Sequence, residues 1–248
     1  MTTMKADPAV QRTLLTLADL DKELNQLAHR RRTLPEIAQL VEAETAVRTA
    51  KDKLVEVETN AGDLDRDIRR IERDVEGVRA RTERDHTMLA GSGVGAKQAV
   101  DLQHELETLQ RRQTVLEDEQ LEIMEQREAI GADIEHSQVA LAAAEQAVTD
   151  ITQRRDTAFA DIDAAEAGRG RDRAAAVEGI PAELVAAYEK RRAKGGAGAA
   201  LLLARRCQAC RLELDRVAIA ALKAAPADEV VYCEECGTIL VRTAESGL

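Results

Sequence analysis

Residues 40–78 read LVEAETAVRTAKDKLVEVETNAGDLDRDIRRIERDVEGV. Twelve of their apolar side chains, Leu40, Ala43, Val47, Ala50, Leu54, Val57, Ala61, Leu64, Ile68, Ile71, Val75 and Val78, are spaced alternately by three and four. A helix turns once every 3.6 residues, so this spacing lays them along one side and leaves the charges on the others. The pattern is the a/d stripe of a coiled coil, and it needs a second stripe to close against. An earlier segment, Leu17, Leu20, Leu24 and Leu27, keeps the same rhythm, and its phase slips through Leu34 and Ile37. Pro35 stands at the slip. Proline inside a helix removes a hydrogen bond and kinks the chain, so a bend or short break is expected there.

The second stripe begins after residue 97 and includes Leu102, Leu106, Leu109, Leu116, Ile123, Ile130, Ile134, Leu141, Val148, Ile151 and Ile162. Of its nineteen positions between 102 and 165, five are polar: Gln113, Gln120, Arg127, Ser137 and Arg155. Long polar side chains can snorkel past a narrow seam, and polar seam residues fix register at some cost in stability. Between the stripes lies Leu89-Ala-Gly-Ser-Gly-Val-Gly-Ala-Lys97, whose glycines stop one helix and allow a reversal. Two helices of similar length joined by a short loop pack antiparallel. Residues 1–168 are therefore expected to form a coiled-coil hairpin with its turn near 88–97, a rod roughly 100–115 Å long at 1.5 Å per residue.

Composition agrees with a thin, helical molecule. The 248 residues include one Phe, two Tyr and no Trp; 33% are charged and the formal net charge is -11. Most enzyme pockets lean on rings for size and rigidity, so this poverty argues against a catalytic globule. Enough Leu, Ile and Val remain to reject disorder. The N-terminus lacks the apolar core and cleavage site of a signal peptide, and no apolar run is long enough to span a bilayer. No membrane association and a cytoplasmic location are expected. His29, His86, His104 and His136 are scattered along the helices as solvated side chains would be, and no P-loop, Rossmann fingerprint, nucleophile elbow or HExxH is present. The chain is read as a non-enzyme.

Residues 169–200 read as a junction. Gly168 and Gly170 interrupt the helical pattern, and Pro181 opens a short helix over 182–192. Lys190, Arg191, Arg192 and Lys194 then place positive charge at the favourable helix end. The junction carries seven basic and five acidic residues over 166–200, against 22 basic and 34 acidic over 1–165.

All four cysteines lie beyond it, as Cys207-Gln-Ala-Cys210 and Cys233-Glu-Glu-Cys236. In a reducing compartment paired cysteines mean metal more often than disulfides. Two CxxC knuckles each wrap one side of an ion, and four thiolates complete a tetrahedron, so one structural zinc per chain is expected. Iron in the same thiolates, or a redox dithiol pair, is the alternative. Gly237 follows the second pair, where a tight turn can aim backbone N–H groups at sulfur. Residues 201–248 thus form a small α+β zinc ribbon, with strands near 201–206, 229–232 and 238–242 and an inserted helix near 214–224. A four-thiolate site has no open position for water and so should not catalyse. Arg205, Arg206 and Arg211 lie beside it and either balance its charge or contact phosphate.

The whole chain resembles the bacterial family of C4-type zinc-ribbon proteins with a long N-terminal coiled-coil hairpin. The resemblance rests on Leu14-Leu-Thr-Leu-Ala-Asp-Leu-Asp21, on Leu102-Gln-His-Glu-Leu-Glu-Thr-Leu-Gln-Arg-Arg-Gln-Thr-Val-Leu-Glu-Asp118, and on Cys207-Gln-Ala-Cys210 with Cys233-Glu-Glu-Cys-Gly-Thr-Ile-Leu240. The high Ala and Arg content looks actinobacterial. The resemblance implies a hairpin with a compact zinc domain at its base, and the four cysteines as the ligands. Some relatives serve flagellar or type III secretion biogenesis as chaperones or adaptors, binding the nitrogen-type sigma factor, export components or messenger RNA. The expected role is a non-enzymatic adaptor for an unidentified protein partner. The alternative is nucleic-acid binding through Lys190, Arg191, Arg192, Lys194, Arg205, Arg206 and Arg211. A monomer is expected, with a homodimer as the alternative.

Overall fold

The computed structural model describes residues 4–248. Helices α1 (Pro8–Arg32), α2 (Pro35–Ala90), α3 (Ala96–Glu178) and α4 (Ala182–Arg192) come first. The strands β1 (Ala199–Leu203) and β2 (Arg206–Cys207) follow, then helix α5 (Arg216–Ala224) and the strands β3 (Val231–Tyr232) and β4 (Ile239–Val241). The fold is a long helical hairpin followed by a small strand-containing zinc ribbon. Among the described residues, no helix is long and apolar enough to cross a membrane.

The chain divides into two compact units, one of Glu36–Gln153 and one made of residues up to Pro35 together with those from Arg154 onward. The first is a plain antiparallel pair of helices. Every one of the twelve stripe positions from Leu40 to Val78 is turned at least partly inward. Ile71, Val75 and Leu116 form its densest layer, with Val78 and Ile123 packed against them. Salt bridges cross between α2 and α3 at Lys51–Glu145 (3.4 Å), Asp65–Arg127 (2.8 Å), Arg79–Glu117 (2.7 Å) and Arg81–Glu105 (2.8 Å). Arg127 and Gln113 hold polar seam positions by reaching sideways to carboxylates, Asp65 and Glu117. The reversal occupies residues 91–95, where the Gly91 N–H donates to the Met88 carbonyl at 3.1 Å.

The second unit is a sheet with helices on both faces. Strand order is β2-β1-β4-β3; β1 runs parallel to β4, and the other two pairings are antiparallel. Alternation along the strands sorts the core into two layers. Ala199, Ile239 and Val241 meet Leu14 and Leu17 of α1 and Leu184 and Tyr188 of α4. Ala200, Leu202, Val231 and Leu240 meet Leu214, Ala218 and Leu222 on the α5 side. Gly198 enters β1 against the Tyr188 ring; a Cβ there would lie 2.4 Å from ring carbon. Gly198→Ala should therefore overpack this layer and cost about 1–3 kcal/mol, read as a lowered melting temperature.

Two details go beyond the sequence pattern. The expected hairpin spans 1–168, and within that stretch α1 and the last part of α3 pack in one compact unit with the ribbon. Leu14 and Leu17 are wholly buried against strand and α4 side chains, contacts that a seam rhythm cannot distinguish from coiled-coil ones. Likewise α3 runs unbroken through Gly168 and Gly170 to Glu178, so the junction from 169 begins as helix. Glycine weakens a helix interior by only about 1 kcal/mol, and flanking ion pairs, Arg169 to Glu23 at 2.6 Å and Arg173 to Asp21 at 2.7 Å, hold this stretch to α1. At the phase slip the chain leaves the helix at Thr33 and Leu34, and Pro35 starts α2 where its missing N–H costs nothing.

The N-terminal segment closes the unit. Lys5 pairs antiparallel with Glu229; the Ala6 N–H donates to Asp228 O at 2.7 Å and the Val230 N–H to Met4 O at 2.9 Å. Asp7 caps α1 by accepting from the Ala9 N–H at 2.7 Å, with Pro8 in the first turn. Arg242 spans the far end of α5, donating to Leu222 O at 3.0 Å, Ala225 O at 2.8 Å and Glu229 O at 2.8 Å. A cation on the last carbonyls of a helix complements its dipole.

Candidate metal centre

The two knuckles are built alike. The first follows the β1–β2 hairpin, whose two-residue turn puts Ala204 (φ 44°) and Arg205 (φ 64°) in left-handed conformations. In the first knuckle the Cys207 N–H donates to Leu212 O (3.1 Å) and the Arg211 N–H to Cys207 O (2.7 Å). In the second, the Cys233 N–H donates to Thr238 O (2.9 Å) and the Gly237 N–H to Cys233 O (2.8 Å). The residue after each pair is left-handed, Arg211 at φ 64° and Gly237 at φ 71°. Sequence inspection flags the glycine but not its arginine counterpart.

These repeats bring the four sulfurs together, all within 4.8 Å of one another. Cys207 and Cys236 are 3.8 Å apart and Cys210 and Cys233 are 3.9 Å apart. A disulfide needs about 2.05 Å, so these are thiols. A tetrahedron with Zn–S bonds of about 2.3 Å has edges of about 3.8 Å, which these two sulfur pairs match. Soft thiolates in a closed four-ligand set suit zinc, and the ion would be held by Cys207, Cys210, Cys233 and Cys236, two of them buried.

The surroundings prepare the sulfurs unequally. Burial pushes the Cys207 thiol up to about 12, although the Cys210 and Ala209 N–H groups point at it. Burial also raises Cys233, against the N–H groups of Cys236 and Glu235. At Cys236 burial is outweighed by hydrogen bonds from the Thr238 hydroxyl and N–H and from the Cys233 and Cys210 thiols, which hold it down to about 7. The Thr238 hydroxyl lies 3.3 Å from the Cys236 sulfur and 3.0 Å from Ala197 O. Zinc takes thiolates, so the protons that burial favours on Cys207 and Cys233 must be released when it binds. Apparent affinity therefore rises with pH, about tenfold per unit for each proton displaced. Calorimetry in buffers of different ionisation enthalpy should show net proton release on zinc uptake at pH 7. Uptake without proton release would contradict these assignments.

Left-handed φ is unfavourable for a residue with a Cβ, by about 1–2 kcal/mol. Arg211→Gly should therefore stabilise the metal-loaded protein by about 1 kcal/mol, seen as a higher melting temperature at unchanged zinc content.

The basic residues near the ribbon divide into engaged and free. Arg191 stacks over the Tyr232 ring, 5.0 Å from its centre, and packs against Gly237 on the second knuckle. Arg192 binds Asp21 at 3.1 Å, Arg205 donates to Gly247 O at 3.0 Å, and Arg206 pairs with Glu213 at 3.4 Å. Lys190, Lys194 and Arg211 are exposed. Sequence reasoning missed the group that anchors Arg192. Asp21, nearly buried, accepts from Arg173 at 2.7 Å and from the Tyr188 hydroxyl at 2.7 Å; Glu189 also meets Arg173. Burial and the hydrogen bond to Asp21 push the Tyr188 phenol well above its ordinary range, so it stays a donor. No local pattern announces this cluster, since its members come from α1, α3 and α4.

A helical hairpin with a closed four-thiolate ribbon defines a zinc-binding coiled-coil protein. Residues 17–196 match the CT398-like coiled coil hairpin domain, and residues 206–240 match the C4-type zinc ribbon domain. The chain belongs to the CT398-like hairpin family and carries its C4-type zinc ribbon. It is 42% identical to Mycobacterium tuberculosis protein Rv2229c over 239 residues, which span 96% of this chain and 98% of that one. Protein ML1638 of Mycobacterium leprae is 34% identical over 227 residues, 90% of this chain and 96% of that one. A solved Mycobacterium smegmatis structure is 42% identical and superposes with a TM-score of 0.85, covering 97% of this chain and all of that one. The structure of CT398 from Chlamydia trachomatis shares the fold, at 17% identity and a TM-score of 0.66 over 94% of this chain and 97% of that one.

Proposed function

We propose that this protein is a non-enzymatic zinc-stabilised adaptor that binds protein partners. The observation that carries the reading is the saturated metal centre. Four sulfurs within 4.8 Å of one another fill every position of a tetrahedral ion, so the zinc holds structure and offers no site to a substrate. The rest of the chain supplies surface. The hairpin leaves Val55, Val100, Val115, Leu121 and Val139 more than half exposed among its charges, a surface suited to other helices or extended segments. Nucleic-acid binding through the basic residues draws less support, because Arg191, Arg192, Arg205 and Arg206 are already engaged within the chain. Photo-crosslinking in cells from single positions on the hairpin and the ribbon tests this. Reproducible protein adducts, lost from the ribbon positions when zinc binding is abolished, are expected; adducts to nucleic acid alone would refute it.

A further inference from the structure

Arg211 occupies a position that its own structural repeat fills with glycine. Both residues follow a CxxC pair, donate the same hydrogen bond and share the left-handed conformation, but only Arg211 carries a side chain there. Strain of this kind persists only where the surrounding structure enforces it, and it clusters at functional sites. Yet the Arg211 guanidinium is exposed, and no hydrogen bond or ion pair engages it among the described residues.

Arg211 lines the wall of a groove in the ribbon's unit, between α1, the glycine loop at 195–198 and the first knuckle. Lys22 lines it too, exposed and equally without a partner among the described residues. Leu15 and Ala18 give the groove an apolar stripe, and Asn25, Gln26 and Gln208 add amides able to both donate and accept. Its extent along α1, from Leu15 to His29, is about 20 Å at 1.5 Å per residue. That length accommodates about six residues of extended chain at 3.3 Å each.

We propose that this groove binds an extended, carboxylate-bearing peptide segment of a protein partner, with Arg211 and Lys22 holding the carboxylate. The inference rests on the adaptor reading and adds the chemistry of what it binds. Amides match a peptide backbone, the apolar stripe matches alternate side chains, and the free cations Arg211 and Lys22 outnumber Asp19 by one charge, which matches one carboxylate. Nucleic acid fits less well. Its affinity comes from neutralising many phosphates, whereas here Asp19 offsets one of two free cations, and the nearest ring, Tyr188, is wholly buried and cannot stack a base.

The test is a random peptide library selected against the zinc-loaded full chain, with the retained peptides then measured on Arg211→Gly and Lys22→Ala. Glycine suits the backbone at 211, so the first variant should keep its zinc and its helicity. Retained peptides should carry Asp, Glu or a required free C-terminus, and should weaken about tenfold or more on Arg211→Gly. Peptides lacking carboxylates, peptides that bind both variants as well as the parent, or no retained peptide at all would overturn the groove assignment. Partner adducts from other surfaces would leave the adaptor reading standing in those cases. A poly-uridine RNA that binds and is weakened by the same two variants would replace the peptide with nucleic acid.

Discussion

Cys233→Ser will empty the metal site and unfold residues 199–246. The strands there are two to five residues long, and their α5-side core is built from Ala, Leu and Val around Cys207 and Cys233 themselves. Zinc contributes about 10–16 kcal/mol to the folding of small domains of this kind, more than a core of that size can replace. The damage should spread to α1, because Leu14 and Leu17 rest on Ile239 and Val241. It should stop short of the layer at Ile71, Val75 and Leu116, which contains no residue of the ribbon. Metal analysis should fall from one zinc per chain to none. Amide exchange should quicken over residues 8–21 and 199–246 while residues 57–78 and 109–123 stay protected. Stoichiometric zinc with unchanged exchange would mean that Cys233 is not a ligand.

The second large effect is expected at Asp21. Its carboxylate is 5% exposed and holds Arg173 and Arg192 while accepting from Tyr188. Removing one member of a buried pair strands the opposite charge, typically at about 3–5 kcal/mol. Arg192 is a third exposed and can reach water, which places Asp21→Ala near the lower end, about 3 kcal/mol. A fall in melting temperature of about 5–10 °C should result. Asp21→Asn should recover the hydrogen bond to Tyr188 without the charge and fall between the two. A loss below about 1 kcal/mol for Asp21→Ala would show the cluster to be no more than a surface network.

The hairpin was legible because one rhythm determines it. Of the nineteen positions assigned to the second stripe, only Ala165 is exposed. The zinc ligands were legible because thiolates at fixed spacing have few other uses. The role of α1 was not. Leu14, Leu17 and Asp21 obey the same three-and-four spacing whether they meet a helix or a sheet, and only the tertiary fold decides between them. Arg211 was equally hidden, since a left-handed backbone at arginine leaves no mark in the sequence.

The pairing of residues 4–6 with 228–230 also bears on synthesis. A ribosome releases α1 long before the strands that cover Leu14 and Leu17 exist. The hairpin's contacts can form from its own turn outward, whereas Leu14 and Leu17 are covered only once the strands beyond residue 199 have been made. Until then the nascent protein exposes the apolar face of α1, and the pairing of residues 4–6 with 228–230 is among the most distant contacts it has to form.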